Sequence, residues 1–532
     1  MNWGKSNMLK TIDLFAGAGG LSYGFEATNE FIIVAAAENN PNARKTYIAN
    51  HKEQNNITMI NDVRGYDFKK LAEEKGGIDI VIGGPPCQGF SNANRQKNHF
   101  ISMNNSLVKE YFRAVKEISP KAFVMENVAM LASSTHRFYD SNKDHDEIEK
   151  LGIPMDESEI VLADGEYNGF KLREILDSNT ESEYTVSDSL FQLLNTLYKD
   201  RKNANRLKSF KKKNKKYLLE IIQDFINTSV HKLPVLDGVI KYLCDDTDDY
   251  SFEELGEYLK FQKVFRFKKE LDDNEIRYDY IPDQSGKIKI RVWSYTVIDY
   301  VRSIVEDEYY TNSGVLNAMW FGVPQERRRF IFMGIKKELC NKESVILPTD
   351  QKNKVVTVYD ALSDLVDYDT VDELENDQLQ IYSQDSDLSD YAKRMRQKSK
   401  GVKNHLITKT REQAMERFKV LKQGENFHKL SPELKNNYSD PTRTQNSVYL
   451  RLDYSQPSGT VINVRKSMWV HPVLDRAVSV REAARLQSFP DRFVFIGTKD
   501  SQYQQVGNAV PPLMAEAIAR QLIDNLKLSN NE

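Results

Sequence analysis

Residues 78–91, IDIVIGGPPCQGFS, constrain this chain more than any other stretch. Ile78 to Ile82 is a short apolar run with the composition of a strand buried on both faces, as parallel-sheet strands are. Pro85 and Pro86 stop the run and remove backbone donors, while Gly83 and Gly84 let the chain turn and let another molecule come close. Cys87 is thereby presented where the strand ends, the edge at which α/β proteins place their ligands. A lone cysteine taken by itself is more often buried and inert. The rest of the chain overturns that prior.

Lys10 to Phe15 reads as a second buried strand, followed by AGAGG and the amphipathic helix start LSYGFEA. Strand, glycine turn and helix in that order present backbone N–H groups and a helix N-terminus to a ligand. Gly17, Gly19 and Gly20 make the turn. Ser22 stands where a dinucleotide fingerprint has its third glycine, which counts against a pyrophosphate. The apolar strand Phe31 to Ala37 ends in Glu38, about 20 residues past the turn, where an acid accepts hydrogen bonds from ribose hydroxyls. A third strand, Thr58 to Ile60, ends near Asp62, placed to receive an adenine amino group. Glycine turn, ribose acid and adenine acid fit an adenosyl cofactor without phosphates. S-adenosylmethionine satisfies that description better than NAD.

A chain of 532 residues has room for two to four domains. No apolar run reaches the roughly 18 residues of a membrane span. The start, MNWGKSNMLK, lacks the apolar core of a signal peptide. Cys87, Cys244 and Cys340 are too widely spread for a disulfide framework or a zinc site, so a reducing compartment and no metal are expected. Net charge is −3, but it is unevenly spread. Lys208 to Lys216 is almost all lysine, 393–422 is rich in Lys and Arg, and 364–390 holds ten acids and no base. Such unevenness permits a local phosphate-binding face on an acidic protein. Each run read singly is equally a solvated surface.

DLFAGAGG at 13–20, GGPPCQGFS at 83–91, MENV at 125–128, QERRRFIFMG at 325–334, REAARLQSFPD at 481–491 and QVGNAVPPLMAEAIA at 505–519 follow one another in order. With these six blocks the chain resembles the DNA cytosine-5 methyltransferase family of bacterial restriction-modification type. The resemblance is absent from about 136–290 and most of 340–440. It implies an α/β fold: a doubly wound, Rossmann-like S-adenosylmethionine-dependent methyltransferase domain with a helical insertion and a smaller target-recognition domain. It also implies double-stranded DNA as substrate, a target cytosine flipped from the stack, and Cys87 as the thiolate that adds to C6. Glu126 matches the glutamate that protonates or bonds N3, with Asn127 bracing the loop. Arg329 matches the arginine at cytosine O2, and Arg327, of the same block, is counted with Cys87, Glu126 and Arg329 among the implied catalytic residues. Arg328 lies between them and points elsewhere if the segment is a strand. No residue in the motifs is an evident base for removing the C5 proton. Phe15, Pro86, Leu107, Asn508 and Val510 are implied cofactor contacts. Ser91 and Arg95, in the polar stretch after Cys87, and Thr460 are implied DNA contacts.

The blocks divide the chain into catalytic segments 1–135, 291–340 and 461–532, a mostly helical insertion 136–290 and a target-recognition domain 341–460. Within the insertion, Leu190, Leu193, Leu194 and Leu197 share a helix face, as do Leu218, Ile221, Ile222 and Phe225. It reads either as a DNA-tracking arm or as a helical subdomain that docks a partner or merely decorates the fold. The loops and short strands of 425–464 mix Arg, Asn, Gln, Thr and Tyr, side chains able to bond base edges and phosphates. The expectation is a cytoplasmic, nucleoid-associated monomer that protects host DNA beside a cognate restriction endonuclease. The tRNA-methylating branch of the family lacks support in the absence of a CFT tripeptide. Amino-methyltransferases need a DPPY-like tetrad where this chain has PPCQ. A DNA-binding regulator or silent homologue would be favoured by loss of Cys87 or Glu126, and both are present. A nicotinamide dehydrogenase leaves PPCQ and ENV unexplained.

Overall fold

The computed structural model describes the chain except residues 1–7, 52–56, 87–105, 134–135, 166–170, 232, 246–251, 282–285, 351–353, 384–386, 437, 439 and 527–532. It divides into two units: 1–88, 104–133 and 301–532 form one, and 89–103 with 134–300 the other. In chain order the strands used below are β1 (Leu9–Leu14), β2 (Phe31–Ala37), β3 (Thr58–Ile60), β4 (Ile80–Gly83) and β5 (Ala122–Val128). They are followed by β6 (Arg137–Tyr139), β7 (Asp156–Ala163), β8 (Tyr278–Ile281), β9 (Ile288–Thr296), β10 (Tyr309–Asn317) and β11 (Arg328–Lys336).

The first unit is built on a seven-stranded sheet in the order β10-β11-β5-β4-β1-β2-β3. β1 to β5 pair in parallel. β11 runs antiparallel to both β5 and β10. The chain proceeds outward from β1 to β2 and β3 on one side, and from β4 to β5 on the other. The order therefore reverses between β1 and β4, which opens a crevice at the carboxyl ends of those strands. The doubly wound α/β expectation holds, with β11 as the antiparallel exception.

Sequence pattern accounts for these elements. β4 is buried at every position, as a central parallel strand must be. The helix Ser106–Ile118 buries Val108, Tyr111, Phe112, Val115 and Ile118, a stripe of period 3.6 facing the sheet. Phe25 meets Phe31 edge-on at 4.8 Å, a contact worth about 0.5–1.5 kcal/mol beyond burial. The last helix, Pro512–Asn525, starts with proline at its first turn and packs on the helix Gly20–Glu26. A side chain at Gly24 would sit 2.4 Å from both Ala515 Cβ and Pro512 O, so glycine lets the two helices touch. Both ends of the chain thus share one core.

The block 481–491 owes its composition to a buried ionic cage. Arg485 grips Asp491 with Nε and Nη2 at 2.7 and 2.6 Å, and reaches Asp364 with Nη1 and Nη2 at 3.0 and 3.1 Å. Arg396 adds a 2.7 Å bond to Asp364. Glu482 caps its own helix with Ser479 and takes both forks of Arg476 at 2.9 and 2.6 Å. Burial alone would raise the Glu482 carboxyl, but Arg476 holds it far below the ordinary range. A smaller satellite core around Phe418, Phe427, Leu430 and Tyr449 lies under the segment 414–477.

In the second unit, β6, β7 and β8 all pair antiparallel with β9. The helices Asp188–Asp200 and Ala204–Thr228 bury Leu190, Leu194 and Leu197, and Leu218 and Ile222. These are residues of the stripes read from sequence. The sheet has a fainter signal, the alternation Ile288, Ile290, Val292 along β9.

Replacing Arg485 by Met removes the cation that compensates two buried carboxylates. Arg485→Met should lower unfolding free energy by about 3–5 kcal/mol, read as a lower urea midpoint. An unchanged midpoint would show the cage to be energetically idle.

Candidate active site

Residues from five strands meet at the carboxyl edge beside the β1/β4 crevice. β1 is followed by Phe15, held at φ 58°, and leads into the glycine turn, where Gly17 and Gly19 also have positive φ. The Gly17 N–H donates to Glu38 Oε2 at 2.8 Å, and Asn40 N–H to Glu38 Oε1 at 2.7 Å. The acid after β2 is thereby clamped against the turn after β1. A Cβ on Gly20 would lie 2.3 Å from Val510 O, so the turn and the C-terminal block are in backbone contact. Val510 is buried, and Asn508 Oδ1 accepts from Gln504 Nε2 at 2.7 Å.

Ser22 faces inward, with Oγ 3.2 Å from both Gly19 O and His51 Nε2. The His51 ring stacks on Tyr47 at 4.1 Å. Tyr47 OH approaches Asp13 Oδ2 at 3.5 Å. Asp13 is fully buried under the turn and its Oδ1 has no hydrogen-bond partner among the described residues. Burial raises its carboxyl to about 7, opposed by Ser22 and helped by Glu38. This cluster is not announced by any of the motifs, because its members come from different elements.

Asp62, after β3, is exposed and bonded to Arg64 at 2.7 Å. Those bonds hold its carboxyl below the ordinary range.

The centre of the site lies where β4 and β5 end. In register, Gly83 lies beside Met125, which brings Gly84 next to Glu126. Glu126 pairs across from Ile331, and Arg329 from Val128. These are diagonal neighbours on one face of an antiparallel pair, within reach of long side chains. Arg329 Nε lies 2.7 Å from Glu126 Oε1, with 14% and 12% of the two side chains exposed. Arg328, one residue away, is exposed and on the other face, as expected of a strand. Burial wins at Glu126: it pushes the carboxyl above its ordinary value, and Arg329 and Arg327 only moderate the rise. Burial likewise lowers Arg329, with Glu126 opposing.

Asn127 braces the loop, donating from Nδ2 to Pro85 O at 2.9 Å. Gly84 is glycine for a spatial reason: a Cβ there would stand 2.9 Å from Glu126 Oε2. Pro86 and Leu107 are partly buried at the two ends of the segment 87–105. Cys87, Ser91 and Arg95 fall in that segment, outside the described residues.

Arg327 and Thr460 spend their polar groups on backbone. Arg327 Nη1 and Nη2 donate to Val461 O and Gly507 O at 2.8 and 2.9 Å. Thr460 Oγ1 donates to Glu326 O at 2.8 Å and is exposed. Gln325 Oε1 accepts from Val461 N–H at 2.7 Å, while its Nε2 donates to Gln487 Oε1 at 2.9 Å. Both carbonyl partners of Arg327 lie far along the chain, and a sequence carries no signal for a carbonyl contact.

Among the described residues no cluster of three or more His, Cys, Asp or Glu is arranged to hold a metal. No described helix is long and apolar enough to cross a membrane.

The fold and the edge it offers are those of an α/β methyltransferase. A crystal structure of a DNA modification methyltransferase encoded within an E. coli prophage superposes with a TM-score of 0.53 at 20% identity, covering 97% of this chain and 99% of that one. The profile of the C-5 cytosine-specific DNA methylase family matches residues 9–153 and 294–524, well over half of the chain. The chain belongs to that family. The intervening 154–293 falls outside the match. Among named relatives, the type II methyltransferase M.DdeI of Desulfomicrobium norvegicum is 25% identical over 98% of this chain and 91% of its own. The type II methyltransferase M1.HphI of Haemophilus parahaemolyticus is 25% identical over 98% and 88%. The type II methyltransferase M.AquIB of Picosynechococcus is 39% identical over 24% of this chain and 90% of its own length.

Gly84→Ala forces the Glu126 carboxylate to move while leaving the core untouched. It should lower kcat/KM for DNA methylation by about ten- to a hundredfold with little change in thermal midpoint. Wild-type kinetics would show that this approach has no role.

Proposed function

We propose that the protein methylates C5 of a cytosine flipped out of duplex DNA, through a covalent bond between Cys87 and C6, with S-adenosylmethionine as methyl donor. The observation that carries this reading is the Glu126–Arg329 pair, set beside the Gly84–Pro86 loop that leads into Cys87. A cytosine C5 is too weak a nucleophile to attack a methyl sulfonium unaided. Thiolate addition at C6 relieves that, because it saturates C6 and shifts the ring electrons into a C4–C5 enamine whose C5 is nucleophilic. The negative charge that develops at N3 needs a proton. A glutamate whose pKa is raised by burial retains one to higher pH than an ordinary carboxyl and is suited to give it. Arg329, beside it, is suited to hold O2 and to keep the Glu126 carboxyl oriented. Arg327 acts as a positioning residue. After methyl transfer N3 returns its proton to Glu126, a base takes the C5 proton, the electrons of that C–H bond form the C5–C6 double bond, and Cys87 leaves as thiolate.

The residues at the β1/β4 crevice fit the cofactor. No atom of the described residues lies within 4 Å of where a Cβ of Gly17 would point, so among them the turn is an open cradle. Glu38 is clamped behind it, and Phe15, Pro86, Leu107, Asn508 and Val510 are the flanking candidates. Asp62 would have to share its carboxylate between Arg64 and an adenine amino group. Bound there, S-adenosylmethionine supplies an electrophilic methyl group. Ser91, Arg95 and Thr460 are proposed DNA contacts, and 341–460 the segment that reads the target sequence. The names of the relatives, type II methyltransferases, favour protection of host DNA beside a cognate endonuclease. A monomer suffices for such a reaction.

Purified protein should transfer labelled methyl groups to duplex DNA, and bisulfite sequencing of DNA from a methylation-free host expressing the gene should reveal 5-methylcytosine at one sequence. Cys87→Ala should abolish turnover. Retained turnover in that variant would remove the covalent mechanism.

The pH profile has a definite sign. Protonated Glu126 is the active form, so the rate falls as pH rises through its raised pKa. Arg329→Gln removes a cation that lowers that pKa, so the alkaline limb should move to higher pH while the maximal rate drops. Single-turnover rates against pH measure this, and a limb that moves to lower pH would contradict the role given to Glu126.

A further inference from the structure

The helix Ala204–Thr228 of the second unit carries a row of uncompensated positive charge. From Arg201 to Leu219 there is no acidic residue, while Lys208, Lys211, Lys212, Lys215 and Lys216 recur at spacings of three and four. That spacing places them along one side of the helix. The neighbouring side, with Phe210, Leu218 and Ile222, is buried in the unit's own core. None of the five lysines meets a carboxylate among the described residues. Elsewhere in the same unit Lys268 bonds Glu181 and Asp272 at 2.6 and 2.8 Å, and Arg277 meets Asp140 at 2.9 Å. Lys211, Lys212, Lys215, Lys216 and Leu219 line an open depression of about 480 Å³. Lys211 is braced from the side, its Nζ 3.9 Å from the centre of the Tyr242 ring.

We propose that this lysine face docks the phosphate backbone of duplex DNA, without reading its sequence. The proposal rests on the reading that the protein acts on duplex DNA. Lys208 to Lys216 span about 12 Å of helix axis, and duplex DNA presents one charge per about 1.7 Å of its own axis. A row of ammonium groups with no carboxylate partner among the described residues therefore meets several phosphates at once and releases their counterions. An internal role would have required carboxylates opposite the row, such as Lys268 and Arg277 have. The cost of crowding five like charges on three turns of helix is offset only when an anion is bound.

The test uses the full-length protein and a duplex of about 40 base pairs of random sequence, with affinity followed by fluorescence anisotropy from about 50 to 300 mM salt. The variant carries Lys→Gln at 208, 211, 212, 215 and 216, and its fold is checked by circular dichroism. The slope of log K against log salt should become shallower by about three units, and affinity at 100 mM should fall at least tenfold. The methylation rate at saturating DNA should stay unchanged, and Lys→Arg at the same five positions should restore binding. An unchanged slope, or a loss confined to single-stranded RNA, overturns the proposal while leaving the activity reading intact. Wild-type protein that neither binds nor methylates duplex DNA overturns both.

Discussion

The guanidinium of Arg327 is 1% exposed and donates to the carbonyls of Val461 and Gly507, joining segments more than a hundred residues apart in sequence. Its neighbours repeat the motif: Gln325 bonds Val461 on one side and Gln487 on the other, and Gln487 in turn donates to Val506 O at 2.7 Å. Burying a cation is costly, and here burial and the adjacent Arg329 both press its pKa down against the pull of Glu126. The cation persists because its removal would orphan two buried carbonyls and release the start of β11. That start is what carries Arg329. The reactive-looking pair Glu126–Arg329 is thus held by an arginine that does not itself face the pocket.

A second tier of buried charge supports the first. The cage of Arg485, Asp491, Asp364 and Arg396 ties the helix Val480–Leu486 to the segment that follows β11. Glu482 with Arg476 ties the same helix to the strand-like run before it. Pairing sites of this kind are directional, so they admit one arrangement of the segments where apolar contacts would admit several. The catalytic edge gains from this. The side chains that meet there come from residues 13 to 38, 84 to 127, 325 to 329 and 507 to 510, and only a rigid frame keeps such distant pieces within fractions of an ångström.

Much of this was legible from the order of residues. Apolar runs closed by glycine or proline mark β1 and β4, and one closed by Glu38 marks β2, because a central parallel strand must be apolar on both faces and must then stop. Glu38 was legible from its distance to the glycine turn, and Glu126 from its place at the end of an apolar strand. Asn127 as the brace of the loop at Pro85 was legible from the ENV block. The carbonyl partners of Arg327 were not, since any residue has a carbonyl and proximity across the chain leaves no mark in composition. The Asp13–Tyr47–His51–Ser22 cluster was not, since its members are individually ordinary. The sheet around β9 was faint for another reason: β7, DESEIVLA, is half polar because most of it faces solvent.

The chain by itself determined which groups are available and in what order: a thiol after a proline stop, two acids at strand ends, an arginine triplet, a lysine-rich helix. Local physics sufficed for this, because helix and strand periods and the stopping power of glycine and proline act over a few residues. Tertiary structure alone decided which arginine of the triplet meets Glu126. That depended on the antiparallel register of β11 against β5, which turns Arg329 toward the carboxylate, Arg328 to solvent and Arg327 to a buried cage. A shift of one residue would have exchanged the faces. It also decided the protonation tendency of Glu126, because burial is a property of everything packed around a group and not of the group's neighbours in sequence.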